Sequence, residues 1–378
     1  MVGNRNRKQT SRLAWTAALA LVVIAFAGVP ASAQSYTVTR LTSDIANITG
    51  NNPADPNLGN PWGLVASASG PWWVSDNGTG LSTLYDGNGV KQGLVVTVPD
   101  WTGSGQGVPS GIAFNSTTDF DLSTNSNPAT FLFDTEDGTI QGWNHNQNPT
   151  ESVIKVNNFD SNAVYKGLAL ASAGGQNYLY ATNFNAGTVE VYDKSFTLHS
   201  FGANAFVDSS IPQGFAPFGI QLVGGNLVVT YAKQDADKHD DVAGPGNGYV
   251  DIYDTQGNLL NRLPHLIQMN SPWGIALAPA NFGAFSNDLL IGNFGSGSIM
   301  VFKNNPPYNF VGLMLDEADL QLRLDGLWAL QFGNGHSSGP ANTLYFTAGT
   351  FDETYGIFGS IVPSNGQGTT KASRGTKK

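Results

Sequence analysis

The chain has 378 residues, including 46 Gly, 19 Pro and no Cys, and its formal net charge at pH 7 is -10. The absence of cysteine excludes disulfides, thiolate catalysis and thiolate metal sites. The acidic balance repels nucleic acid phosphates, so we expect no nucleic acid partner. Abundant Gly and Pro, with 11% aromatic residues, favour short strands joined by tight turns.

Residues 1–33 are predicted to be a signal peptide. Basic residues within the first twelve positions precede an apolar stretch at 13–29, and the small residues at 31–33 form a cleavage site. We therefore expect the mature protein to begin at Gln34 and to be exported to the periplasm or the extracellular space. No comparable apolar stretch follows, so we expect no membrane insertion after cleavage.

A short pattern recurs six times after the signal peptide. Pro-Trp-Gly occurs at 61–63 and 272–274, and four weaker copies share its glycine: Pro109-Ser110-Gly111, Tyr165-Lys166-Gly167, Pro217-Phe218-Gly219 and Leu324-Asp325-Gly326. The steps from glycine to glycine are 48, 56, 52, 55 and 52 residues. This period is typical of a propeller blade. The sequence therefore predicts an all-β, six-bladed β-propeller with four antiparallel strands in each blade.

The same strand order is predicted within each repeat. An inner strand opens at the shared glycine, where backbones approach around the axis. The second strands are predicted at 72–75, 131–134, 178–182, 227–230, 289–292 and 344–347. The third strands are predicted at 81–86, 139–143, 188–193, 249–254, 298–303 and 356–361. An outer strand follows in the first five repeats only.

The two ends of the chain are predicted to behave differently. The alternating segment at 36–41 has no partner at the start of the chain, so we assign it as the outer strand of the last blade. This pairing closes the ring and removes exposed strand edges. The propeller then spans residues 34–363, and residues 364–378 are expected to form a disordered basic tail. We expect a monomer.

The Pro-x-Gly-Ile-Ala start of a repeat resembles NHL-repeat propellers. More closely, the segments at 55–63, 231–248 and 271–275 are similar to an uncharacterised family of exported bacterial six-bladed propellers, some of which end in a PEP-CTERM sorting tail. This chain has no Pro-Glu-Pro near its C-terminus, so the resemblance does not imply such sorting. It implies a fold and a compartment, and no activity.

An Asp-rich insertion is predicted at residues 233–247, between the second and third strands of the fourth blade. It contains Asp235, Asp237, Asp240 and Asp241 within seven residues, together with His239. Hard oxygen ligands at this density are able to bind a Ca²⁺ ion, which is the one cofactor that the sequence suggests. The alternative is a solvated acidic loop, and the EF-hand pattern does not fit.

The mouth of the central channel is the second candidate site. The residues just before the six shared glycines are expected to ring the axis: Trp62, Ser110, Lys166, Phe218, Trp273 and Asp325. In a ring of six, the third and sixth positions face each other across the axis. Lys166 is therefore expected opposite Asp325. Aromatic walls with one pair of opposite charges suit a small polar ligand, such as a sugar or a peptide end. The alternative is that the aromatic rings plug the channel.

Three functions are compatible with these features. We expect an exported binding or interaction module for a small polar ligand, a glycan or a protein partner, acting at the mouth and the Asp-rich loop. One alternative is a Ca²⁺-dependent hydrolase or lyase, in which the ion polarises a substrate oxygen. The other is a structural envelope or matrix protein. No catalytic residue is predicted, because no His pair or nucleophile motif has the required spacing.

Overall fold

The structure is a computed structural model that describes residues 34–48, 52–123 and 126–364. The predicted signal peptide and residues 365–378 of the predicted tail lie outside the described residues. The described chain forms six four-stranded antiparallel sheets with very little helix. This confirms the predicted all-β, six-bladed propeller. Within the described ranges, we find no helix with the length and apolar character needed to cross a membrane.

Strand β1 (Tyr36–Ser43) comes first in the chain, and the next twelve strands build the first three blades. Blade 1 contains β2 (Pro61–Ala66), β3 (Trp72–Asp76), β4 (Leu81–Tyr85) and β5 (Lys91–Thr97). Blade 2 contains β6 (Pro109–Phe114), β7 (Phe131–Thr135), β8 (Thr139–Trp143) and β9 (Val153–Asn157). Blade 3 contains β10 (Tyr165–Ala173), β11 (Gln176–Asn183), β12 (Thr188–Asp193) and β13 (Leu198–His199).

The remaining strands build blades 4 to 6. Blade 4 contains β14 (Phe215–Val223), β15 (Asn226–Lys233), β16 (Gly248–Tyr253) and β17 (Leu259–Arg262). Blade 5 contains β18 (Pro272–Leu277), β19 (Asp288–Asn293), β20 (Ile299–Lys303) and β21 (Phe310–Leu313). Blade 6 contains β22 (Leu327–Phe332), β23 (Leu344–Gly349), β24 (Tyr355–Pro363) and β1. Single helical turns occur at Phe159–Ser161, Gly283–Phe285 and Thr350–Glu353.

Strand β1 closes the ring as predicted. It pairs antiparallel with β24, from Tyr36 opposite Pro363 to Ser43 opposite Ile357. Tyr36 is fully buried, its hydroxyl donates to the Phe282 carbonyl at 3.2 Å, and its ring also stacks on Phe285. The N-terminal strand therefore joins blade 6 to blade 5 through a buried side chain, as well as through the strand ladder.

The sixth position around the axis differs from the sequence prediction. A Cβ added at Gly167 would lie 2.9 Å from the Phe218 carbonyl oxygen, and one at Gly274 would lie 2.5 Å from that of Trp328. Trp328 is therefore the equivalent of Phe218, and Asp325 was the wrong residue for this place. Asp325 is exposed in the turn before β22. The apolar indole of Trp328 therefore packs at the buried axis, and the carboxylate of Asp325 remains in solvent.

We predict that Tyr36→Ala lowers the free energy of unfolding by about 3–5 kcal/mol, because it removes a fully buried ring at the closure of the propeller. Denaturant unfolding measures the change. The control is Thr39→Ala on the same strand, whose side chain is exposed. Equal effects of the two substitutions would contradict the closure described here.

Candidate functional site

Aromatic rings fill the axis at the mouth, which is the end of the propeller where inner strands begin and second strands end. Trp62 stacks on Trp328 with ring centroids 3.6 Å apart, and Trp273 and Phe218 meet Trp62 edge-on at 6.2 and 6.5 Å. All four side chains are buried. These rings plug the channel, which is the alternative that the sequence left open. Ser110, at the second ring position, is fully buried too.

Lys166 is the one charged residue in this ring of six positions, and it is 1% exposed. Its Nζ forms an ion pair with Glu136 and a second one with Asp240 Oδ1 at 3.3 Å. The ammonium also lies 5.1 Å from the centroid of the Trp62 ring, where the negative face of the ring attracts it. Burial lowers the pKa of Lys166, but the two carboxylates outweigh burial and hold it above its ordinary value. Lys166 is therefore charged at neutral pH.

Asp325 takes no part in the ion pairs of Lys166. Its Oδ2 instead accepts a hydrogen bond from the Phe351 backbone N–H at 2.9 Å. The turn that it supports is strained, because Phe351, Asp352 and Glu353 have φ angles of 54°, 56° and 61°. Such left-handed conformations cost roughly 1 kcal/mol or more for each non-glycine residue. Asp325 thus supports the rim turn that carries Glu353.

A network of hydrogen bonds runs around half of the mouth, from blade 6 through blades 1 and 2 to blade 3. Asn60 Nδ2 donates to Glu353 Oε1 at 3.1 Å and to Asn77 Oδ1 at 3.3 Å. Asn77 Nδ2 donates to Glu136 Oε2 at 2.6 Å, and the other oxygen of Glu136 accepts from Lys166. Each partner comes from a different blade or connection, so the network links four consecutive blades around one side of the mouth.

Only some residues of the Asp-rich loop join this network, through the contact of Asp240 with Lys166. His239 Nδ1 lies 2.9 Å from Asp240 Oδ1, and this hydrogen bond is the main reason that the pKa of Asp240 falls to about 2. The same bond raises the pKa of His239. Asp235 accepts a hydrogen bond from the His239 backbone N–H and supports the loop turn, whereas Asp237 is exposed. Burial raises the pKa of Asp241.

The four predicted calcium ligands do not converge. In the part of the chain that the structure describes, one group of three acidic or His side chains brings its ligand atoms within 4.8 Å, namely Glu136, His239 and Asp240. Ca²⁺ takes about six to eight oxygen ligands, and this group offers two carboxylates and an imidazole. Lys166 already gives both carboxylates a positive partner. The group therefore does not fit a calcium site.

A recess of about 390 Å³ opens beside Glu136 and His239. Asp137, Asp237 and Phe159 also line it, and none of its described lining residues is Lys or Arg. The Phe159 ring lies flat on that of Trp101, with centroids 3.9 Å apart and planes at 7°. Both rings are 39% exposed. The recess therefore combines carboxylates with a fixed aromatic wall.

The inner strands also line a cavity of about 210 Å³ further along the channel. Its lining includes Leu64, Ile112 and Leu168 and contains no charged residue. The charged side chains along the axis are thus concentrated at the mouth. Of the two cavities, the recess at the mouth has the polar groups that would orient a ligand.

Sequence reasoning missed Glu136, Glu353 and Trp328. Glu136 follows the end of the second strand of blade 2, two residues after Asp134. Its position in the repeat could have placed it at the mouth. Trp328 could have been found by aligning Leu-Trp-Ala at 327–329 with Pro-Trp-Gly. No spacing pattern indicates Glu353, because only the strained turn brings its carboxylate to Asn60.

Comparison with known proteins identifies relatives and structural neighbours. No family model matches the chain. Two uncharacterised proteins of Acanthamoeba polyphaga mimivirus, L690 and R648, are 32% and 31% identical to it over 318 and 335 residues. These matches cover 82% and 86% of this chain, and 81% and 79% of the two relatives.

Solved structures resemble this chain in fold. The soluble aldose sugar dehydrogenase of Escherichia coli matches with a TM-score of 0.53 at 12% identity, covering 87% of this chain and 100% of that one. A streptogramin B lyase matches with a TM-score of 0.50 at 11% identity, covering 87% and 98%. These neighbours have different activities, so the likeness concerns the propeller alone.

We predict that Glu353→Gln stabilises the protein at pH 8 by about 1 kcal/mol, a value reduced because the residue is partly exposed. Although Glu353 as a whole is exposed, its carboxyl end is desolvated, which raises its pKa from 4.5 to about 7. The folded wild type therefore binds more protons than the unfolded chain between these values, and its stability falls as pH rises through this window. The substitution removes that loss.

Urea unfolding of both proteins at several pH values measures this difference. We expect it to disappear below pH 4.5, where the carboxyl is protonated in both states. Glu151→Gln, at an exposed residue of blade 2, is the matched control. A stability difference that is independent of pH, or a less stable variant at pH 8, would contradict the assignment.

Proposed function

We propose that this chain, which belongs to the same family as the uncharacterised mimivirus proteins L690 and R648, is a ligand-binding propeller whose site is the mouth recess. The observation that carries the proposal is the buried ion pair of Lys166 with Glu136, next to an open recess. Glu136 belongs to both, so a ligand in the recess would contact the charge network directly.

The energetics of the ion pair favour binding over a purely structural role. Burying two charges costs several kcal/mol of desolvation, and well-packed apolar residues of similar volume are often equally or more stabilising. The axis already has such a filling in Trp62, Trp273 and Trp328. A lysine and its carboxylates within this plug therefore add little that packing alone would not supply. Perturbed charges in a cleft are typical of functional sites.

The three indole N–H groups at the axis differ in their hydrogen bonds. The indole N–H groups of Trp273 and Trp328 donate to the Lys166 carbonyl and to Asn60 Oδ1, at 2.8 and 3.2 Å. The third indole, Trp62 Nε1, is buried and has no hydrogen-bond partner among the described residues. Buried donors are nearly always satisfied in folded proteins. Trp62 is not part of the described lining of the recess, so this N–H does not itself mark the ligand site.

We also propose that the protein acts after export. This part rests on the sequence of residues 1–33 alone. A periplasmic or extracellular propeller would meet small molecules and cell-surface material at its mouth. Immunodetection in separated cell fractions would test the compartment.

Crystals soaked with a fragment library of mixed charge test the binding site without assuming a ligand. We expect fragment density to gather in the recess, and the best fragment to lose affinity in Phe159→Ala. The control, Leu198→Ala, removes an exposed apolar side chain from the outer strand of blade 3 and should leave affinity unchanged. Fragments that bind elsewhere, with none in the recess, would refute the proposal.

A further inference from the structure

We infer that the ligand is an amphipathic cation, that is, an amine carrying an apolar or aromatic body. This inference rests on the proposed function and adds the chemical class of the ligand. It follows from two independent properties of the recess, the sign of its charges and its rigid aromatic wall. The whole-chain charge of -10 adds long-range attraction for a cation.

The charges of the lining select against anions. Three carboxylates face the recess, from Glu136, Asp137 and Asp237, and His239 is the single basic side chain of its described lining. The ammonium of Lys166 is directed to Glu136 and Asp240 and is buried behind them. An anionic ligand would therefore meet like charges without a free cation, whereas an ammonium group would find carboxylates on several sides.

Asp237 is the carboxylate most available to a ligand. It is exposed on the loop, whereas Glu136 already accepts hydrogen bonds from Lys166 and Asn77. Asp137 accepts hydrogen bonds from the Thr135 hydroxyl and from the Trp101 backbone N–H. Substitution of Asp237 should therefore weaken cation binding while leaving the buried network intact.

The aromatic wall selects for an apolar body. Phe159 is held flat against Trp101, so its exposed face is in place before a ligand arrives and costs little entropy on binding. Val164 and Ala163 form a buried apolar surface beside it. A ring or alkyl chain would pack on these groups, and the ring face would also attract a neighbouring ammonium. A bare metal ion would make no use of this wall.

Isothermal titration at low salt with three matched compounds tests the inference. These are 2-phenylethylamine, its neutral analogue 2-phenylethanol and the anionic 3-phenylpropanoate. We expect the amine to bind at least tenfold more tightly than either analogue. Asp237→Asn and Phe159→Ala should each weaken it about five- to tenfold, and the control Glu151→Gln should bind it like the wild type.

Several results would overturn the inference. If the alcohol or the acid binds as tightly as the amine, the charge class is wrong while the recess remains the binding site. If none of the three binds, the class is also wrong, and fragment density still decides the proposed function independently. Amine binding that is unchanged in both recess variants would place the amine elsewhere. A response to CaCl₂ alone that Asp237→Asn abolishes would replace the organic cation with a metal ion.

Discussion

The ion pair between Lys166 and Glu136 is the contact on which the arrangement of the mouth depends. The ammonium lies against Trp62 and Phe184, so its position is set by the aromatic plug at the axis. A buried lysine needs a counter-charge, and this requirement brings in Asp240 from the long loop of blade 4. One desolvated charge thereby joins elements that are distant in sequence into a single site.

Features that local sequence determines could be predicted, whereas this contact between blades could not. Blade number and ring closure follow from local signals, namely the spacing of the glycines and the unpaired alternating segment that became β1. The sixth inner strand was placed wrongly because Ala329 stands where the other repeats have glycine, and Asp325-Gly326 offered a false match. The ion-pair partners of Lys166 could not be predicted, because contacts between blades 2, 3 and 4 have no fixed spacing in the sequence.

Stability and binding make opposing demands at this end of the propeller. The strained turn at 351–353, the raised pKa of Glu353 and the buried charges all cost folding free energy. Further along the channel, by contrast, the lining is uncharged. Destabilising features gathered at one end of a fold are typical of functional sites. A propeller with six closed blades has enough buried core to tolerate them.

A double-mutant cycle on Lys166 and Glu136 measures the strength of this buried ion pair. Unfolding free energies of the wild type, Lys166→Met, Glu136→Gln and the double variant isolate the interaction between the two side chains. We predict that each single substitution is strongly destabilising and that the coupling free energy is about 2–3 kcal/mol, as expected for a buried charge pair. A coupling free energy below about 0.5 kcal/mol, the size of an exposed pair, would contradict it.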